Sequence, residues 1–218
     1  MRLPRNIREN LRFLLAESGS QVSNLRTYFR EPADSLAKRI LDRGGYAYNL
    51  KLRIHESCLE RIARIRKTDD SDVASLRTVE SIATDLDRLT ELCRDCIRQL
   101  EQVQDRSCLR PEAYRPMLGW MTRAIGRIEP AIRNSDTPLA LKIGRVKPRL
   151  DRACRKLRRR YTGDLKRGRK VTEDLIIALL VTHCIEQMGD TLLNISEAVI
   201  SVNLGHIVNS DRYHSLQT

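Results

Sequence analysis

Four residues near the C-terminal end, Glu186, Asp190, Asn194 and Glu197, are spaced 4-4-3 and so share one face of any helix that carries them. Asp87, Glu91 and Asp95 repeat the pattern earlier in the chain. Like charges one turn apart cost an isolated helix a few tenths of a kcal/mol. Two such stripes therefore call for relief, either a bound cation or basic side chains from elsewhere. Oxygen donors of this kind suit iron(II), manganese, magnesium or calcium better than zinc. The plainer alternative is a polar stripe relieved by the chain's own arginines, Arg88 and Arg94 among them. His183, three residues before Glu186, lies near that face and is a further candidate ligand; the plainer account tucks it between helices on a hydrogen bond.

Charge is the second chemical feature. The chain has 218 residues and a net charge of +12. Between Lys142 and Lys170 stand fourteen basic residues against Asp151 and Asp164, so this segment alone carries the whole excess. Its densest part, Arg155, Lys156, Arg158, Arg159 and Arg160, is the candidate partner-binding surface. Such a field attracts nucleic acid, an anionic membrane surface, phosphate or an acidic protein. A basic helical module that binds nucleic acid through residues 142–170 is the main alternative function, with salt-sensitive phosphate contacts. Nine aromatic residues and no helix-turn-helix core argue against it.

Enzyme signatures are missing. There is no G-x-x-x-x-G-K-[ST], no G-x-G-x-x-G after a strand, no G-x-S-x-G, and no E-x-x-H pairs for a di-iron oxidase. Six cysteines, among them Cys93 and Cys96 in C-x-x-C spacing, read as reduced core thiols, since no second ligand pair accompanies them. The N-terminus lacks the apolar segment of a signal peptide, and no uncharged apolar run reaches about 18 residues. The expected location is the cytoplasm.

The elements that must hold these groups are helices. Leu11, Leu15, Ser18, Val22, Leu25 and Phe29 form a bundle seam spaced 4-3-4-3-4. A second run carries Leu36, Ile40, Ala47, Leu50, Ile54, Ile62 and Ile65, and a third, capped within Asp69–Asp72, carries Leu76 to Leu100. The pattern breaks around Asp105 to Pro111 and then returns. A fourth helix holds Met117, Met121, Ile125, Ile128 and Ile132. A fifth starts at Thr137-Pro138 and ends at a break spanning Gly163 to Gly168. A sixth, capped by Thr172 and ended by Gly205, carries Ile177 to Val202. The third and sixth should be about 45–50 Å long at ~1.5 Å per residue. Medium, long, long, twice over, predicts an all-α chain of two tandem three-helix bundles: residues 1–106, residues 112–206, and a tail, 207–218.

The segment CIEQMGDTLLNISEAVISVNLG, Cys184 to Gly205, closely resembles the signature of the PhoU family of phosphate-uptake regulators, an E-x-x-x-D helix written L-E-R-I-G-D and followed by N-I-x-E. DLDRLTE (Asp85 to Glu91), SLAKRIL (Ser35 to Leu41), Cys58 and SDVASLRTVESIATDL (Ser71 to Leu86) support it, and the resemblance spans roughly Ile7 to Gly205. It implies paired three-helix bundles, commonly a homodimer. It also implies a non-catalytic adaptor between a phosphate transporter and a histidine-kinase sensor. Peripheral contact with anionic lipid is compatible with that role. Iron, zinc or manganese at the acidic stripe is implied as well, with Glu186, Asp190, Asn194 and Glu197 as ligands in the second repeat and Asp87 and Glu91 in the first. The second helix of each repeat departs from the family pattern. Where the family supplies carboxylates, this chain has Gly44 and Lys51, then Lys147 and Arg155, with Asp151 alone retained nearby. A lysine or arginine about 4 Å from Glu186 or Asp190 contributes about 4 kcal/mol of Coulomb energy before desolvation and competes with a metal ion.

Overall fold

The computed structural model describes residues 3–65, 70–168 and 172–204. Among them there is no strand. The helices are α1 (Arg5–Tyr28), α2 (Asp34–Leu41), α3 (Gly44–Arg64), α4 (Asp70–Leu100), α5 (Pro111–Ile125), α6 (Ile128–Arg133), α7 (Thr137–Gly144), α8 (Val146–Lys166) and α9 (Thr172–Leu204), with a short 3-10 turn at Arg106–Cys108. These make six rods, because α2–α3, α5–α6 and α7–α8 are each one rod with a break in it.

The breaks have local causes. Pro130 and Pro148 each stand third in their helix, where the absent N–H removes the bond to the carbonyl four residues back. The rod therefore interrupts one turn earlier, at Gly126–Arg127 and at Arg145. In the first half the break falls at Asp42–Arg43, ahead of Gly44 and Gly45, which are poor helix formers. The fifth rod starts at Thr137 as expected, capped by the Asp136 carboxylate, which accepts from Leu139 N–H at 2.8 Å, but it runs through Gly163 to Lys166 rather than breaking there. Asp69 and Gly205 lie outside the described residues, as does the tail from 207.

Successive rods run antiparallel. Asn6 of α1 meets Ser57 of α3, and Glu17 meets Arg43 just ahead of α3. Lys51 meets Asp87 between α3 and α4, and Met117 meets Cys154 between α5 and α8. The two bundles do not stand apart: α4 and α9 share the most extensive packing in the molecule, and α1 lies along α5. One continuous core results. The anticipated stripes of α1 and α4 are buried throughout. Both central helices also bury side chains off the expected stripe, Ile82, Leu92 and Cys96 on α4 and Leu175, Ala178, Ile185 and Ile200 on α9, because each packs against its own bundle and against the other. By length and composition α9 is apolar enough to cross a membrane, but half of its most apolar window is buried within this core.

Candidate functional site

Asp87, Glu91, Glu186 and Asp190 each meet a cation of the chain itself. Asp87 points back to the second rod, where the Lys51 ammonium donates to its Oδ2 at 2.5 Å. The carboxylate is 3% exposed, and Lys51 also lies over the Tyr48 ring at 4.4 Å. The position of the missing carboxylate at Gly44 is filled from the other side: a Cβ there would collide with the Arg94 guanidinium, which lies across the glycine. Glu91 pairs with Arg88 and Asp95 with Arg98, each at 3.1 Å on the surface, where such pairs are worth little.

In the second half Lys147 sits between Asp151 at 2.6 Å and Asp190 at 2.8 Å. Burial works against its charge, but the two carboxylates outweigh that and hold its pKa above the ordinary lysine value. Glu186 accepts from both terminal nitrogens of Arg158, one of them at 2.9 Å. Burial alone would raise the Glu186 pKa; the guanidinium overrides it and the carboxyl titrates below its usual range. Gly189 suits this close approach, because a Cβ there would stand 2.9 Å from Leu150 Cδ1 and force that side chain to shift. A lysine thus neutralises Asp190, as expected, and Lys51 does the same for Asp87, whereas Glu186 is met by Arg158 rather than Arg155. With Lys147 opposite Asp190, antiparallel packing sets Asp151 opposite Glu186. Arg158 lies seven residues on from Asp151, on the same helix face, and three residues beyond Arg155.

Asn194 is exposed and favours the charged form of Asp85 across the α4–α9 seam, and Glu197 lies half-buried near the end of α9. His183 is not tucked between helices: its side chain is 58% exposed, with Nδ1 at 3.9 Å from Glu186. Among the described residues no three His, Cys, Asp or Glu side chains gather as a metal ion requires. The donor set does not fit the multinuclear cluster that the resemblance implies, because Lys51, Lys147 and Arg158 already neutralise Asp87, Asp190 and Glu186.

Asp85 was not anticipated. Burial at the seam pushes its carboxyl up to about 6, against the opposing effect of Asn194. A folded-state value above the unfolded one means that ionisation opposes folding. The penalty is absent below about pH 4 and grows as pH rises through 6. Asp85→Asn is therefore expected to stabilise the protein by about 1–2 kcal/mol at pH 7.5, the full shift being discounted for solvent access. Urea unfolding at pH 7.5 and at pH 4 checks this: the gain should vanish at the lower pH, and an equal effect at both would contradict it.

The five partner-binding candidates divide. Arg158 turns inward to Glu186, while Arg155, Lys156, Arg159 and Arg160 are exposed along α8. Charge reversal at Arg158 therefore tests the fold, and reversal at the other four tests the surface. All six cysteines are free thiols, five of them buried and Cys184 half-buried.

No family model matches the chain, and neither does any curated sequence. Solved structures do. The fold is that of the PhoU-like double three-helix bundle. PhoU from Pseudomonas aeruginosa superposes with a TM-score of 0.82 at 19% identity, over 91% of this chain and 96% of that one. The phosphate transport system regulatory protein PhoU from Streptococcus pneumoniae gives 0.82 at 16% identity, over 93% and 96%.

Proposed function

We propose that this chain is a PhoU-like regulator of phosphate uptake, a non-catalytic cytoplasmic adaptor between a phosphate transporter and a histidine-kinase sensor. The likeness over almost the whole length of two PhoU structures supports the reading. The observation that carries it is the separation of charge. The acid stripe of the sixth rod is largely satisfied inside the molecule by Lys147 and Arg158, whereas Arg155, Lys156, Arg159 and Arg160 are displayed outward. A surface that keeps its cations exposed after internal pairing is complete suits docking to an acidic partner face. The nucleic-acid alternative rests on the charge of residues 142–170 alone.

The test is phosphate uptake by cells lacking the chain, grown with phosphate in excess. Uptake should rise and return to normal with the wild-type chain. The fourfold reversal Arg155→Glu, Lys156→Glu, Arg159→Glu and Arg160→Glu should fold with an unchanged melting temperature yet fail to restore repression. Unchanged uptake in the deletion strain would contradict the role.

A further inference from the structure

The outward cations of α8 line a shallow, open cleft of about 660 Å³. Arg152, Arg155, Lys156, Arg159 and Arg160 stand at helical spacings of three and four, and Arg167 extends the row to about 22 Å at ~1.5 Å per residue. Across the cleft Arg110, the residue just ahead of α5, supplies a seventh cation. The lining contains one carboxylate, Asp164, which is buried and engaged by Arg110 at 3.0 Å and Arg167 at 3.8 Å. Among the described residues no carboxylate pairs with any of the five from Arg152 to Arg160. The Arg110 Nε is buried without an acceptor. At Gly163 nothing lies within 4 Å of where a Cβ would stand, which leaves an open notch between Arg159–Arg160 and Arg167.

Like charges on successive turns repel, and here the chain offers little to offset them. The required counter-charge must be extended, since one phosphate cannot span such a row. Guanidinium forks match phosphate oxygens bidentately. No aromatic and no large apolar residue lines the cleft, so it has neither a stacking platform for a base nor an anchor pocket for a peptide. Duplex nucleic acid receives a helix that stands proud into its groove, the opposite shape. We propose that this cleft binds a linear oligophosphate: several condensed phosphate units with no base and no apolar appendage. The site goes beyond the adaptor role and is measured on pure protein, so neither result depends on the other.

Calorimetric titration of the full chain with inorganic tripolyphosphate, then with a medium-chain polyphosphate, tests it. Binding should tighten by at least about tenfold with the longer chain and weaken steeply with salt. Arg159→Glu with Arg160→Glu should weaken it by at least about tenfold, while the equal charge change Lys38→Glu with Arg39→Glu, remote on α2, should leave it unchanged. Should the first pair fail to fold, Arg155→Gln with Lys156→Gln is expected to weaken binding in the same direction. The proposal is overturned by no binding, by equal loss in the remote pair, or by equal affinity for polyglutamate, random duplex or phosphatidylglycerol vesicles at the same salt.

Discussion

Lys51→Met is expected to destabilise the protein by about 3–5 kcal/mol, because it strands a buried carboxylate without its counter-ion. Asp87 is almost fully enclosed, and its Oδ1 already lacks a hydrogen-bond partner, so the ammonium is the main compensation that the carboxylate has. At roughly 2–4 °C per kcal/mol for a chain of this size, the melting temperature should fall by about 10 °C. The double variant Lys51→Met, Asp87→Leu should recover most of the loss, since removing both charges also removes both desolvation costs. Thermal melts of the three proteins give the comparison. A single variant that melts like the wild type would mean that the pair does not neutralise Asp87 in solution.

Tyr114→Ala should cost about 3–5 kcal/mol, and Tyr114→Phe about 1–2 kcal/mol. The ring is fully buried and stacks on Phe29 of the other half with centroids 4.6 Å apart. Its hydroxyl shares a hydrogen bond with Thr182 at 2.7 Å and donates to the Ala178 carbonyl at 3.0 Å, with Tyr161 at 3.3 Å. One side chain thus ties α5 to α8 and α9 and to the first bundle. Removing the ring opens a cavity, whereas removing only the hydroxyl leaves the Thr182 hydroxyl with one partner fewer. Urea unfolding separates the two contributions, and equal losses in both variants would contradict the cavity account.

Six rods in two sets of three were legible because amphipathic periodicity survives wherever a helix buries one face, as at Leu11 to Phe29. What periodicity does not encode is where a rod breaks. Pro130 and Pro148 held that information, since a proline third in a helix interrupts the turn before it. The seam was harder to read. On α4 and α9 two buried faces merge, and a residue such as Asp85 looks like part of a polar stripe until a second rod covers it. The candidate carboxylates were visible as a pattern and the cations at Lys51 and Lys147 as departures from it. Arg158 and Arg155 differ by less than one turn, and only the packing decides which of them reaches Glu186.

The most direct test of the adaptor reading is affinity capture from detergent-solubilised membranes, comparing the wild-type chain with the variant reversed at Arg155, Lys156, Arg159 and Arg160. The wild type should retain a phosphate transporter subunit or a histidine-kinase sensor, identified by mass spectrometry, and the reversed variant should lose it while remaining folded. Retention of neither by the wild type, or equal retention by both proteins, would contradict docking through the exposed cations of α8.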